Sequence, residues 1–168
     1  WVRNNSNKKY DLNGDLAQGG KVDELILNQA IDNFKINSYY QSLDVNNFDV
    51  SFARGLSLED GCATITNFTA YLIAQGLEHI SLQDNITFLV CGGGRKNNYL
   101  INCIKNYLPN KNRINLEIID NYNLNGDYIE SQAFAFIAIR SFLNLPISFS
   151  KTTGCDSFTV GGKLIENF

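Results

Sequence analysis

The sequence predicts an α/β fold built around one strand–helix–strand unit, and three observations carry that prediction. Residues 86–90, ITFLV, are β-branched, apolar or aromatic and uncharged, the pattern of a strand buried on both faces. Gly92, Gly93 and Gly94 follow after one residue and lead into a helical pattern over 96–108. A second β-branched run over 114–119 completes a βαβ unit, expected to be parallel and right-handed. Flanked by helices, such a unit is half of a doubly wound layer.

The elements follow in order. Residues 4–20 are polar and glycine-bearing, hence loop. Residues 22–34 repeat apolar positions near a period of 3.6 and predict a helix with Leu25, Ile26, Ala30 and Ile31 toward a core. Residues 37–52 are irregular and aromatic. Ser57 with Asp60 three residues on reads as a capping box for a long helix to residue 74, with Leu58, Cys62, Ile65, Thr69, Leu72 and Ile73 on one stripe. Gly76 to Glu78 then mark a helix end, with His79 as a cationic cap. Beyond the βαβ unit, 120–126 is a loop, and 128–143 is a helix apolar almost all round, which predicts burial. Pro146 ends that region, and 152–162 is a glycine-rich loop.

A length of 168 residues suits one domain or lobe, large enough to bury roughly 70% of its unfolded surface. Hydrophobic content of 44% and charged content of 18% describe a globular chain. A net charge of −3 without any basic stripe argues against binding to nucleic acid or an anionic membrane. The four cysteines have neither C-x-x-C spacing nor neighbouring histidine, so neither zinc nor a disulfide framework is indicated. Cys62, Cys91 and Cys103 fall inside strand or helix patterns, where a reduced thiol packs as a small hydrophobe; this points to the cytosol. No apolar run is long enough to span a membrane, and residues 1–10 lack the apolar core of a signal peptide. The chain opens on Trp1 and contains no methionine, so a piece of a longer polypeptide or a trimmed chain is expected.

Strand, glycine turn and helix in that order suit a nucleotide, because glycine leaves the main chain open to a flat ligand and the helix start offers unpaired N–H groups. Asn97 is expected in the first turn of that helix, facing the same pocket. The spacing matches neither G-x-x-x-x-G-K-[ST] nor G-x-G-x-x-G with a distal acid. These residues alone therefore admit either a ligand site or a turn whose glycines serve packing. Elsewhere, Asp11 and Gly14 suit a turn, with contact to a nucleotide or its metal as a second role for Asp11. Arg95 and Lys96 are expected to be solvated, with approach to a phosphate as a second role, and Asp127 and Glu130 have capping-box spacing. A single histidine and no G-x-S-x-G give a hydrolase triad no support.

Four segments occur in a telling order: DLNGDLAQGG at 11–20, LSLEDGCATITNFTA at 56–70, CGGGRKNNYL at 91–100 and GDYIESQAFA at 126–135, followed by Thr153 and Gly154. They resemble D-x-x-G-x-x-A-x-x-G, D-x-x-A-T-L-T-x-x-T-A, C-G-G-G-x-x-N-x-x-L and G-D-x-x-E-A-x-A-F-A of the anhydro-N-acetylmuramic acid kinase family, in the actin/hexokinase ATPase superfamily. The resemblance covers nearly the whole chain and implies the carboxyl-terminal half. That means a ribonuclease H-like, actin-like ATPase lobe over residues 1–168, with a mixed sheet flanked by helices. It also implies ATP and Mg²⁺ as cofactors, with Gly92, Gly93, Gly94 and Asn97 on the nucleotide's base and ribose side and Glu130 at the sugar subsite. No metal ligand is implied in this chain. The catalytic aspartate, in a D-T-G-P-G-N segment, is expected in an N-terminal lobe outside this chain.

The implied reaction phosphorylates 1,6-anhydro-N-acetylmuramic acid with ring opening by water, giving N-acetylmuramic acid 6-phosphate in cytoplasmic cell-wall recycling. The implied partners are the amino sugar, the N-terminal half and a second copy in a homodimer. One departure lies at 39–48, where the family has P-P-K-S and a further cation; Gln41 and Val45 stand in place of cations and would weaken anion handling. Ser131 for alanine is milder. Two alternatives are another actin-like carbohydrate kinase, such as a glucokinase or an FGGY-type kinase, and a non-catalytic nucleotide-binding remnant. The first should lack the G-D-x-x-E-x-x-A-F-A segment.

Overall fold

Helix α4, Leu58–Ile80, is the element around which the others gather in the computed structural model, which describes residues 1–34, 47–80, 85–108 and 113–165. It follows α1 (Val2–Asn5), α2 (Asp15–Gly19) and α3 (Glu24–Asn33), and precedes β1 (Ile86–Val90), α5 (Asn98–Tyr107), β2 (Ile114–Ile118), α6 (Ile129–Phe142) and α7 (Ser150–Thr153). The Ser57 hydroxyl accepts from the Asp60 N–H at 3.1 Å, as the capping reading requires. The Asp60 carboxylate, however, accepts from the Lys21 N–H at 2.7 Å, tying the α2–α3 connection to the start of α4. That bond, and then the Ser57 hydroxyl, hold the Asp60 carboxyl below the usual carboxylate range.

The inner face of α4 differs from the expected stripe. Cys62, Ala63, Phe68, Ala70 and Ala74 are buried, with Thr64 and Asn67 among them, whereas Thr69 and Ile73 are exposed. The reason is that α2, α3 and α5 all pack on α4, so small residues sit where helices approach and bulky ones lie between. A Cβ on Gly20 would overlap the Glu59 carbonyl, and one on Gly61 would overlap the Trp1 indole. Polar groups inside are paired: Thr64 accepts from the Asp23 N–H at 3.1 Å and donates to the Asp60 carbonyl at 2.8 Å. Asn67 donates to Tyr99 and accepts from Tyr107, both at 3.2 Å, joining α4 to α5.

Helix α3 begins where Asp23 accepts from the Ile26 N–H at 3.0 Å. It buries Leu27 and Ala30, which pack with Phe68, while Leu25, expected inside, is 79% exposed. Residues 4–20, expected as loop, contain α2 and the end of α1; Asp11 caps α2 by accepting from the Leu16 and Ala17 N–H groups at 2.8 and 3.0 Å. The expected helix end at 76–78 lies inside α4, and His79 is in its last turn, where a cation is favoured. Gln41 and Val45, and most of the departing segment at 39–48, lie outside the described residues.

Strands β1 and β2 pair in parallel, Ile86 opposite Ile114 through Val90 opposite Ile118. Phe88 and Val90 pack on the core of Ala70, Ala74, Ile101, Ile104 and Leu116, but Thr87 and Leu89 are exposed. β1 is thus covered on one face, not two: α4 and α5 supply one layer, and no described element supplies the other. Among the described residues the sheet has these two strands, with one separate antiparallel bridge between Ser148 and Thr159.

Helix α6 corrects another expectation. It buries no residue, and Phe134, Phe136 and Phe142 are 65%, 60% and 67% exposed. Apolarity all round predicts burial only if something packs there, and no described helix or strand runs along α6. Its carboxyl end is braced locally, with Arg140 donating to the Pro146 carbonyl at 2.7 Å and lying 5.6 Å from the Phe136 ring centre. The region 152–162, expected as loop, begins with the last two residues of α7 and turns at Gly154, φ 71°.

Candidate functional site

The chain leaves β1 through Cys91 and turns at Gly92, where φ 74° and ψ −177° lie in a region that side chains avoid. The Gly92 N–H donates to the Gly126 carbonyl at 3.0 Å, so the turn is joined to the segment before α6. Residues Gly93–Lys96 form a 3₁₀ turn, tighter than the helix start expected at 96. All three glycines are exposed, and among the described residues no other part of the protein lies within 4 Å of where a Cβ on Gly92, Gly93 or Gly94 would stand. Packing between elements therefore does not require glycine at these positions.

Asn97 precedes α5 as its N-cap rather than lying within its first turn, and its Oδ1 accepts from the Leu100 N–H at 2.9 Å. A Cβ on Gly14, φ 83°, would overlap that side chain. The D-x-x-G segment thus abuts the glycine turn, while Asp11 itself is spent on capping α2.

Arg95 is the residue that sequence reasoning undervalued. Its side chain is 6% exposed, not solvated. Nε and Nη2 donate to the two oxygens of Asp120 at 2.6 and 3.1 Å, and Nη1 donates to Asp127 at 2.7 Å and to the Gly92 carbonyl at 3.0 Å. The exposed Lys96 takes the other Asp127 oxygen at 2.7 Å. The signal available in the sequence was the pair of acids on either side of Gly126, with a cation directly after the glycines; nothing local said that they meet.

These contacts displace the expected capping box. Asp127 does not cap α6, whose first residue follows Tyr128 without a side-chain cap bond. Arg95, and then Lys96, hold the Asp127 carboxyl down at about 2, and Arg95 likewise holds Asp120 below the usual carboxylate range. Glu130, second residue of α6, is exposed, and its carboxylate has no hydrogen-bond or ion-pair partner among the described residues. The structure therefore brings Gly92, Gly94 and Asn97 into one turn and joins that turn to Gly126, four residues before Glu130.

The depressed carboxyls carry a pH dependence. A group whose folded pKa lies below its unfolded value stabilises the fold above the unfolded pKa, near 4, and loses that contribution as pH falls through the folded pKa. The urea midpoint should thus fall between about pH 4 and pH 2, and Asp127→Asn should flatten that fall while lowering stability at neutral pH. A midpoint with the same acid slope in the variant would show that the pair contributes nothing.

The remaining candidates stay apart from the turn or carry no cluster. Cys62 and Cys103 are buried, and burial pushes the Cys62 thiol up to about 11. Cys91, expected to be packed, is exposed at the end of β1, where its strand has no second layer. Among the described residues no three His, Cys, Asp or Glu side chains gather as metal ligands, and no helix is long and apolar enough to cross a membrane.

A parallel βαβ unit with an open glycine turn is an architecture used by nucleotide-dependent α/β proteins, and comparison with known proteins makes the assignment specific. A family model described as anhydro-N-acetylmuramic acid kinase matches residues 1–166. The chain is 49% identical over 173 aligned residues to an anhydro-N-acetylmuramic acid kinase of Pelagibacter ubique, covering 100% of this chain and 46% of the relative. Those of Zymomonas mobilis and Rhizorhabdus wittichii are 33% and 36% identical, covering 98% and 96% of this chain and 44% and 43% of the relatives. The chain belongs to the anhydro-N-acetylmuramic acid kinase family. It spans a little under half the length of these curated relatives.

Proposed function

We propose that the complete protein carrying this chain transfers the γ-phosphoryl group of ATP to O6 of 1,6-anhydro-N-acetylmuramic acid. Water adds at C1 as the C1–O6 bond opens, giving N-acetylmuramic acid 6-phosphate and ADP. The observation that carries this reading is the unfilled space over Gly92, Gly93 and Gly94 in a chain of this family. At Gly93 and Gly94 neither packing among the described residues nor a left-handed backbone calls for glycine, which supports a flat ligand lying on the main chain. In this reading the turn holds the base and ribose of the nucleotide, and Glu130 reaches the sugar.

Asn97 contributes indirectly, since its oxygen is already engaged at the α5 start; it keeps the turn in register. The described residues offer no ligand set for Mg²⁺, so in this reading the ion comes with the triphosphate. The base that takes the proton from water lies in the other lobe. The same reading includes an actin-like lobe with a larger mixed sheet, a homodimer, and a place in cytoplasmic peptidoglycan recycling. The bare face of β1 and the uncovered apolar surface of α6 support the larger architecture.

A coupled ADP-release assay tests the proposal. The complete protein should release ADP only when anhydro-N-acetylmuramic acid is present. The 168-residue chain alone should not turn it over, because the base and the second lobe are needed. Equal release with unrelated hexoses, or none with the anhydro sugar, would overturn the proposal.

A further inference from the structure

We infer that Arg95 is a positioning residue that clamps the start of α6, and Glu130 with it, to the glycine turn. A guanidinium in a buried position is costly unless its donors are paired, and here Nε, Nη1 and Nη2 are all used. The three partners come from three places: the Gly92 carbonyl from the turn, Asp120 from just after β2, and Asp127 from just before α6. One planar group thus holds the end of each strand and the entry to the helix in a single geometry. Lysine cannot reproduce this, because its ammonium lacks the bidentate fork.

Two further observations support the clamp. Gly126 lies against the guanidinium, and a Cβ there would overlap Arg95 Nε, so the backbone approaches as closely as it can. In addition, α6 buries none of its side chains, so apolar packing within the described residues does not set the direction of its first turn. Its start is tied to the strand layer by Asp127, held by the buried Arg95 and the exposed Lys96, and by the bond from Gly92 N–H to the Gly126 carbonyl. The geometry stands by itself. Its catalytic consequence rests on the kinase reading, in which the turn holds nucleotide and Glu130 meets sugar, so that the clamp sets one subsite against the other.

The test uses the complete protein with Asp127→Ala, which removes the acceptor on the arm to α6 and leaves Arg95 on Asp120. Hydrogen exchange followed by mass spectrometry should show amides of 126–134 exchanging about tenfold faster, with α4 and α5 unchanged. Steady-state kinetics should show kcat/KM for the anhydro sugar falling about tenfold while the KM for ATP stays within about twofold. Arg95→Lys should reproduce the faster exchange over 126–134 and the fall in kcat/KM for the sugar. Unchanged exchange over 126–134 in both variants would overturn the clamp. So would a uniform rise in exchange with ATP and sugar constants affected alike in Asp127→Ala, since that is loss of general stability. If the unmodified protein does not phosphorylate the sugar, the kinase reading fails, while the exchange measurement still decides whether Arg95 holds α6.

Discussion

Glu130→Gln in the complete protein is expected to lower kcat/KM for the anhydro sugar by about a hundredfold while leaving the melting temperature almost unchanged. The two halves of that expectation have separate grounds. The Glu130 carboxylate is exposed and unpartnered among the described residues, and α6 is not capped by it. Its removal therefore costs the fold only the weak attraction between an anion and a helix N-terminus. A charge-assisted hydrogen bond to a sugar near the reacting centre is much stronger than that, and glutamine keeps the shape but loses the charge. Melting by calorimetry alongside the coupled assay separates the two. A normal rate would remove Glu130 from the sugar site, and a large fall in melting temperature would show a structural role that its surroundings do not provide.

Gly93→Val is expected to raise the KM for ATP at least about tenfold and to leave sugar affinity and stability nearly as they were. Gly93 is the cleanest of the three glycines for this purpose. Gly92 has φ 74° and would be strained by any side chain, so its replacement mixes folding with binding. At Gly93 no atom of the described residues outside its neighbours lies within 4 Å of a Cβ, and the backbone is not left-handed. A branched side chain there meets only the space that the proposal gives to the nucleotide. Isothermal titration with a non-hydrolysable ATP analogue, and separately with the sugar, reads the two affinities. If sugar affinity falls and nucleotide affinity does not, the turn serves the fold and the nucleotide lies elsewhere.

The sequence by itself determined what depends on neighbours a few residues apart. The β1 and β2 runs are found within a residue of where β-branched patterning puts them, and α5 within two. Ser57 caps the start of α4 through a bond three residues long, a distance over which residue type alone is informative. The four ordered motifs carried family membership, since they are read from residue type and spacing alone and need no knowledge of what packs around them.

Only the tertiary structure decided what depends on residues far apart in the chain. Arg95 meets Asp120 and Asp127 across 25 and 32 positions, so its burial was invisible to local charge patterning, and the same contacts turned Asp127 from an apparent helix cap into an ion-pair partner. The inward face of α4 was decided by three helices converging on it, which favours alanine and glycine over the larger residues that periodicity selects. Burial of β1 and α6 was misjudged for the converse reason: apolar composition records a preference for being covered, and whether a second layer lies over a strand or helix is a property of the assembled fold.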